Sequence, residues 1–174
     1  MNLPALVACL ARKKGKIFGK KAFQKYMYFL DAKGIPNPLV FRIHHYGPYS
    51  YELDYQTDNL ELIGAIELSS SGNGFIITPG SNAQKITEAD KEFISRYENM
   101  IDDVLDILPE APLQLELWST VHFVAKSMAT YYGGATKQKV VEEVKKIKKD
   151  KFTLEEIQQA FDMLIAKKLL SIEQ

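Results

Sequence analysis

A mainly α-helical fold of the α+β class is what this 174-residue sequence predicts, and three observations predict it. Apolar residues recur at helical spacing through most of the chain. The β-prone runs are few and short. Two of them flank the polar stretch Ser70-Ser71-Gly72-Asn73-Gly74, the signature of a hairpin. With 46% apolar and 25% charged residues the composition is that of a globular domain, which excludes collagen-like, disordered and disulfide-rich classes.

Residues 3–14 read as a first helix, with Pro4 in its first turn and Gly15 as its stop. Residues 16–18 suit a short strand. A second helix over 20–33 ends at Gly34. Its Phe23, Tyr26, Met27 and Leu30 share one face, leaving Lys21, Lys25 and Tyr28 opposite as a basic face. Residues 39–45 read as a strand closing in a Tyr46-Gly47-Pro48-Tyr49 turn.

Ser50 is the expected N-cap of a third helix to Gly64, with Leu53, Thr57, Leu60 and Ile63 on one side and Tyr51, Tyr55 and Leu62 on the other. The hairpin follows at 65–78, and residues 80–84 read as a linker. Thr87 with Asp90 opens a long helix to Leu108, broken by Pro109 and Pro112. The helix over 114–132 is apolar around most of its circumference and is predicted to be the most buried. A lysine-rich helix over 136–149 and a Thr153-capped helix with Ile157, Phe161, Leu164 and Ile165 inward complete the chain. A short strand is expected at 169–172. Residues 1–80 are thus expected to form a winged-helix-like part, with residues 85–174 as a helical lobe packed on it.

The net charge is zero, yet it is segregated. Residues 1–50 carry nine Lys or Arg against one acid (+8), residues 51–119 three against fourteen (−11), and residues 120–174 ten against seven (+3). Either these parts neutralise one another at short range or they present separate faces to partners, including a second copy of the chain.

Catalytic and metal motifs are not evident. His44 and His45 are adjacent, so on one strand they would point to opposite faces, and His122 lies on an apolar helix, where a hydrogen-bonded core histidine is the simpler reading. There is no nucleotide-binding glycine pattern and no serine-nucleophile elbow. Cys9 sits among Leu6, Val7 and Leu10 and reads as a small buried hydrophobe. No apolar run approaches the ~20 residues that cross a bilayer, and Leu3 to Ala11 lacks the flanks of a signal peptide, so a cytoplasmic protein without cofactor or metal is expected.

The order helix, strand, helix, helix, two-stranded wing is that of a winged helix, in which the helix before the wing reads DNA. Here that helix carries Glu52, Asp54, Asp58 and Glu61 and neither Lys nor Arg, which disfavours a polyanion. The expected function is therefore that of a non-enzymatic regulatory or interaction module that binds a protein partner through Tyr46, Tyr49, Tyr51, Tyr55 and Leu62. The opposing expectation is that Tyr51, Tyr55 and Leu62 are covered by the C-terminal helices. A second reading is nucleic-acid binding through Lys13, Lys14, Lys20, Lys21, Lys25 and Tyr28. A third is an enzyme built around His44 or His122.

The run from Gly19 through Leu30 contains the Gln24-Lys25 pair. Together with Tyr46-Gly47-Pro48-Tyr49-Ser50, Leu53, Leu60, Gly64 and the stretch Leu115-Glu116-Leu117-Trp118-Ser119-Thr120, it resembles the YwgA-type uncharacterised proteins of bacteria and archaea. Phe23 and Tyr26 depart from it in being bulkier than the usual aliphatics. A Gln-Lys helix and a Gly-Pro turn are also similar to the Panacea-type antitoxin domain. These resemblances imply a cytoplasmic, largely helical protein and, by analogy, a toxin-neutralising or regulatory role.

Overall fold

The structure, a computed structural model, describes residues 2–171. In chain order its elements are α1 (Leu3–Lys14), β1 (Ile17–Phe18), α2 (Lys20–Ala32), β2 (Arg42–His44), β3 (Gly47–Tyr49), α3 (Tyr51–Leu62), β4 (Ile66–Ser71), β5 (Gly74–Pro79), α4 (Ala83–Ala89), α5 (Lys91–Ile107), α6 (Pro112–Tyr131), α7 (Lys137–Lys148), a 3-10 turn (Lys149–Lys151) and α8 (Leu154–Ala166). The protein is mainly α with a small antiparallel sheet and a hairpin. It forms two compact units, residues 1–42 with 49–108 and residues 43–48 with 109–174.

In the first unit α1 is buried over Ala5–Ala11 and α2 over Phe23–Leu30, so both helices are enclosed around their circumference. Cys9 is among these buried residues. The expectation that α2 presents a basic face is overturned: Lys25 and Tyr28 are as buried as Phe23 and Met27. The reason is tertiary. Residues 33–41 fold over this side of the helix, held by Asn37, whose amide donates to Asp31 and to the Ile35 carbonyl and accepts from the Leu39 N–H. The Tyr28 ring meets Phe41 edge-on at 5.4 Å. Nor is α6 alone the most buried helix: it is enclosed from Leu115 to His122 but opens toward Tyr131.

The sheet order is β1-β5-β4, with Ile17 opposite Ile77 and Phe18 opposite Ile76. The β4–β5 turn is tighter than the five-residue tip the sequence suggests. Ser71 pairs with Gly74, leaving only Gly72 and Asn73 in the loop. Gly72 adopts φ +57°, the conformation a two-residue type II′ hairpin requires at its first position. The Tyr46–Tyr49 turn is also corrected. The turn is His45-Tyr46, Gly47 follows it at φ +101°, and residues 47–49 form β3. Because His45 lies in the turn, its ring does not point away from His44; the two rings meet edge-on at 5.3 Å.

Residues 80–84 are not a linker. The Gly80 and Asn82 N–H groups donate to the Ala65 and Gly64 carbonyls, and a Cβ on Gly80 would stand 2.2 Å from the Gly64 oxygen. Helix α4 follows at once. Thr87 does not open the long helix, because it lies inside α4, where its hydroxyl bonds the Ala83 and Gln84 carbonyls and accepts from Arg12 at 2.7 Å. Asp90, at φ −122° and ψ 38°, breaks the chain before α5. No strand forms over 169–171, and Ile172, the last residue of that expectation, lies outside the described residues.

The Ser50 and Thr153 caps form as their positions suggest, and Thr136, expected inside its helix, is a third cap, each side-chain oxygen accepting from the N–H three residues on. Ser50 does more. It is fully buried, and its N–H and C=O are both bonded to the Gln24 side chain, at 2.8 and 2.9 Å. Gln24→Ala would leave the Ser50 N–H without its acceptor in a dry setting, at a cost of about 1–3 kcal/mol, while the Ser50 carbonyl would keep the Asp54 N–H at 3.2 Å. We expect a loss of about 1–3 kcal/mol in urea unfolding. A loss near that of a surface substitution would show that the pair contributes little.

Candidate functional site

Helix α3 buries only Leu53, Thr57 and Leu60. Thr57 satisfies its hydroxyl on the Leu53 carbonyl at 2.8 Å. The opposite side carries Tyr51, Tyr55, Asp58 and Leu62, spaced four, three and four residues apart, which places them on one stripe along the helix. Tyr51 is 56% exposed, Tyr55 89% and Leu62 84%. The expectation that these three are covered is therefore not met: all three are exposed.

Three of the four acids of α3, Glu52, Asp54 and Glu61, are held in place by their neighbours. Glu52 accepts from the Ser50 hydroxyl at 3.1 Å. Glu61 accepts from the Leu68 N–H at 2.7 Å, so this carboxylate ties α3 to β4 and occupies an N–H of an edge strand. Asp54 is hydrogen-bonded to the Tyr49 hydroxyl. Burial, and then that bond, push the Tyr49 phenol up to about 12. The Tyr49 and Tyr51 rings meet edge-on at 5.3 Å. Four of the five aromatic or apolar candidates thus gather on or beside α3.

Tyr46 does not join them. In the second unit its ring lies under the Lys151 ammonium, 4.9 Å from the ring centre, beside an ion cluster the sequence reading missed. Glu116, buried on α6, receives Lys148 at 3.2 Å and Lys151 at 2.9 Å. Lys148 also donates to the His45 carbonyl at 2.9 Å, pinning the β2–β3 turn to α7. Burial pushes the Lys148 ammonium down, and Glu116 offsets part of that shift. A signal was available: Glu116 is the lone acid of α6 and sits between Leu115 and Leu117.

The chain is similar to the uncharacterized protein YwgA of Bacillus subtilis (strain 168). The two are 27% identical over 156 residues, covering 86% of this chain and 87% of that protein. The likeness read from the Gln24, Gly47 and Glu116 segments is thereby upheld over most of the chain, and those segments carry the pins just described: Gln24 on Ser50, and Glu116 with Lys148 at the His45 turn. No family model matches the chain.

The basic candidates are dispersed. Lys13 is bridged to Glu98 at 3.0 Å and Asp102 at 2.7 Å, so part of the basic first third is neutralised by the acidic α5. Lys14 lies over the Tyr26 ring and Lys20 over the Phe75 ring. Lys21 is exposed, whereas Lys25 and Tyr28 are buried and leave any nucleic-acid surface. Among the described residues no three His, Cys, Asp or Glu side chains are grouped to hold a metal ion. Among the described residues no helix is long and apolar enough to cross a membrane.

His122 is buried, and its Nε2–H donates to the Leu169 carbonyl at 2.9 Å, holding the turn after α8 to α6. Burial drives its pKa from 6.5 down to about 4, with the Leu169 bond opposing the shift. A histidine neutral in the fold and chargeable in the unfolded chain gives stability that is full above pH 6.5 and is lost as the pH falls toward 4. The loss amounts to roughly 3 kcal/mol at about 1.4 kcal/mol per pKa unit. We expect the urea midpoint to fall across this window and His122→Gln to remove that component of the slope. Parallel pH profiles in the two proteins would exclude His122 as the titrating group.

Proposed function

We propose that the protein is a non-enzymatic interaction module that binds a polypeptide partner through the outer face of α3. The observation that carries this reading is the exposed stripe of Tyr51, Tyr55 and Leu62 on a helix with four carboxylates and no cation. Tyrosines supply large contact area with little side-chain entropy to lose, and scattered single apolar residues would not line up in this way. The complementary occupant is a basic segment with apolar side chains of its own. We read the α1-β1-α2-α3-β4-β5 order as winged-helix-like, with α3 in the place of a recognition helix. Its acids argue against a DNA groove. A regulator-like or antitoxin-like role fits this reading, and we place its action in the cytoplasm, where a lone buried thiol stays reduced.

A short amphipathic peptide of Lys and Leu, titrated against the labelled protein by NMR, should shift amides of α3 and of Tyr49. Tyr55→Ala with Leu62→Ala should weaken that binding about 30-fold, the effect of losing roughly 2 kcal/mol of hot-spot contact. Shifts that map elsewhere, or equal binding by the double variant, would refute the assignment.

A further inference from the structure

The second unit carries an open hollow of about 850 Å³ between the α6–α7 loop and α8, a size within the range of small-molecule sites. Phe161 and Ala135, both buried, and Ile165 supply apolar wall, and Tyr132, 81% exposed, adds a ring. Gly133 and Gly134 complete the lining at φ +74° and +152°. A Cβ on either would meet nothing within 4 Å, so the backbone conformation alone reserves these positions for glycine. No side chain fills the hollow from the loop there.

Its charged lining residues are Lys137, Lys139 and Asp162. Asp162 is spent on Lys137, whose ammonium its two oxygens hold at 2.7 and 2.9 Å. Among the described residues the Lys139 ammonium has no such partner. One uncompensated positive charge thus stands beside apolar and aromatic surface. We infer that the hollow binds a small carboxylate with an apolar body, its anion on Lys139 and its body against Phe161, Ile165 and Tyr132. A phosphate dianion would carry more charge than the site offsets and would gain nothing from the apolar walls. The adjoining hollow between α6 and α7 shares Tyr132, Gly134 and Lys139, but there Lys139 and Lys146 face Glu142 and Glu143, so it selects neither sign. The inference is independent of the α3 reading, since α3 belongs to the other unit.

Titration of the labelled full chain with indoleacetate and with octanoate, followed by NMR, tests this and separates an aromatic from an aliphatic body. The better acid should shift the amides of Gly133, Gly134, Lys139 and Ile165. It should bind about tenfold tighter than its uncharged amide, indoleacetamide or octanamide, the scale of one charge-assisted hydrogen bond. Lys139→Met, a change at an exposed position, should erase that preference, so that acid and amide bind alike. Asp162→Asn leaves Lys137 uncompensated and should tighten the acid, a gain that loss of structure does not produce. Absence of shifts at the loop, shifts that map instead to Met128 and Ile147, equal binding of acid and amide by the wild type, or an unchanged preference in Lys139→Met overturns the inference. Competition by inorganic phosphate overturns it too, since the site would then read charge alone.

Discussion

The reciprocal pair between the Gln24 side chain and the Ser50 backbone is the constraint on which the candidate site depends. Ser50 occupies three roles at once: its hydroxyl caps α3, its N–H binds the Gln24 oxygen and its C=O binds the Gln24 amide. A capping residue free to rotate would let α3 roll. With both backbone groups tied to an enclosed helix, the first turn of α3 has one orientation, and Leu53, Thr57 and Leu60 are the residues that enter the core. Tyr51, Tyr55 and Leu62 face outward as the geometric consequence. Glu61, fastened to the Leu68 N–H, holds the other end of the same helix.

Charge is handled in two ways in this chain. At the surface, Lys13 meets Glu98 and Asp102 across α1 and α5, contacts that are worth little individually in water but bring opposite segments of the sequence together. In the interior, Glu116 and Lys148 form a pair in which desolvation and attraction nearly offset each other, with the exposed Lys151 reaching in to the same carboxylate. The second arrangement specifies rather than stabilises. A buried ammonium requires an acceptor, and Lys148 has two, Glu116 and the His45 carbonyl, so the β2–β3 turn takes its place in the second unit by hydrogen-bond demand.

The helices were legible because their signals are local. Gly15, Gly34, Ser50 and Thr153 mark ends by backbone chemistry that acts within a turn, and the hairpin at Gly72 follows from a φ only glycine adopts readily. The grouping of Tyr51, Tyr55 and Leu62 on one side of α3 was also legible from their spacing, but their exposure was not, since spacing left open whether another segment covers them. The α4–α5 break was not. Thr87 and Asp90 have the spacing of a capping box, but Arg12 claims the Thr87 hydroxyl from seventy-five residues away. Residues 80–84 look like a linker in composition and are pinned by the close approach of Gly80 to Gly64, which no local pattern announces.

By itself, the sequence determined the helical class, the caps, the hairpin and the acidic nature of α3, because each depends on neighbours within a few residues. Tertiary structure alone decided the fate of α2 and of the basic charges. Amphipathic spacing predicts which side of a helix enters a core, but it cannot count how many other segments will arrive to cover the remaining side. Residues 33–41 did so at Tyr28, whose ring meets Phe41, and Lys25 and Tyr28, polar by type and outward by period, became interior.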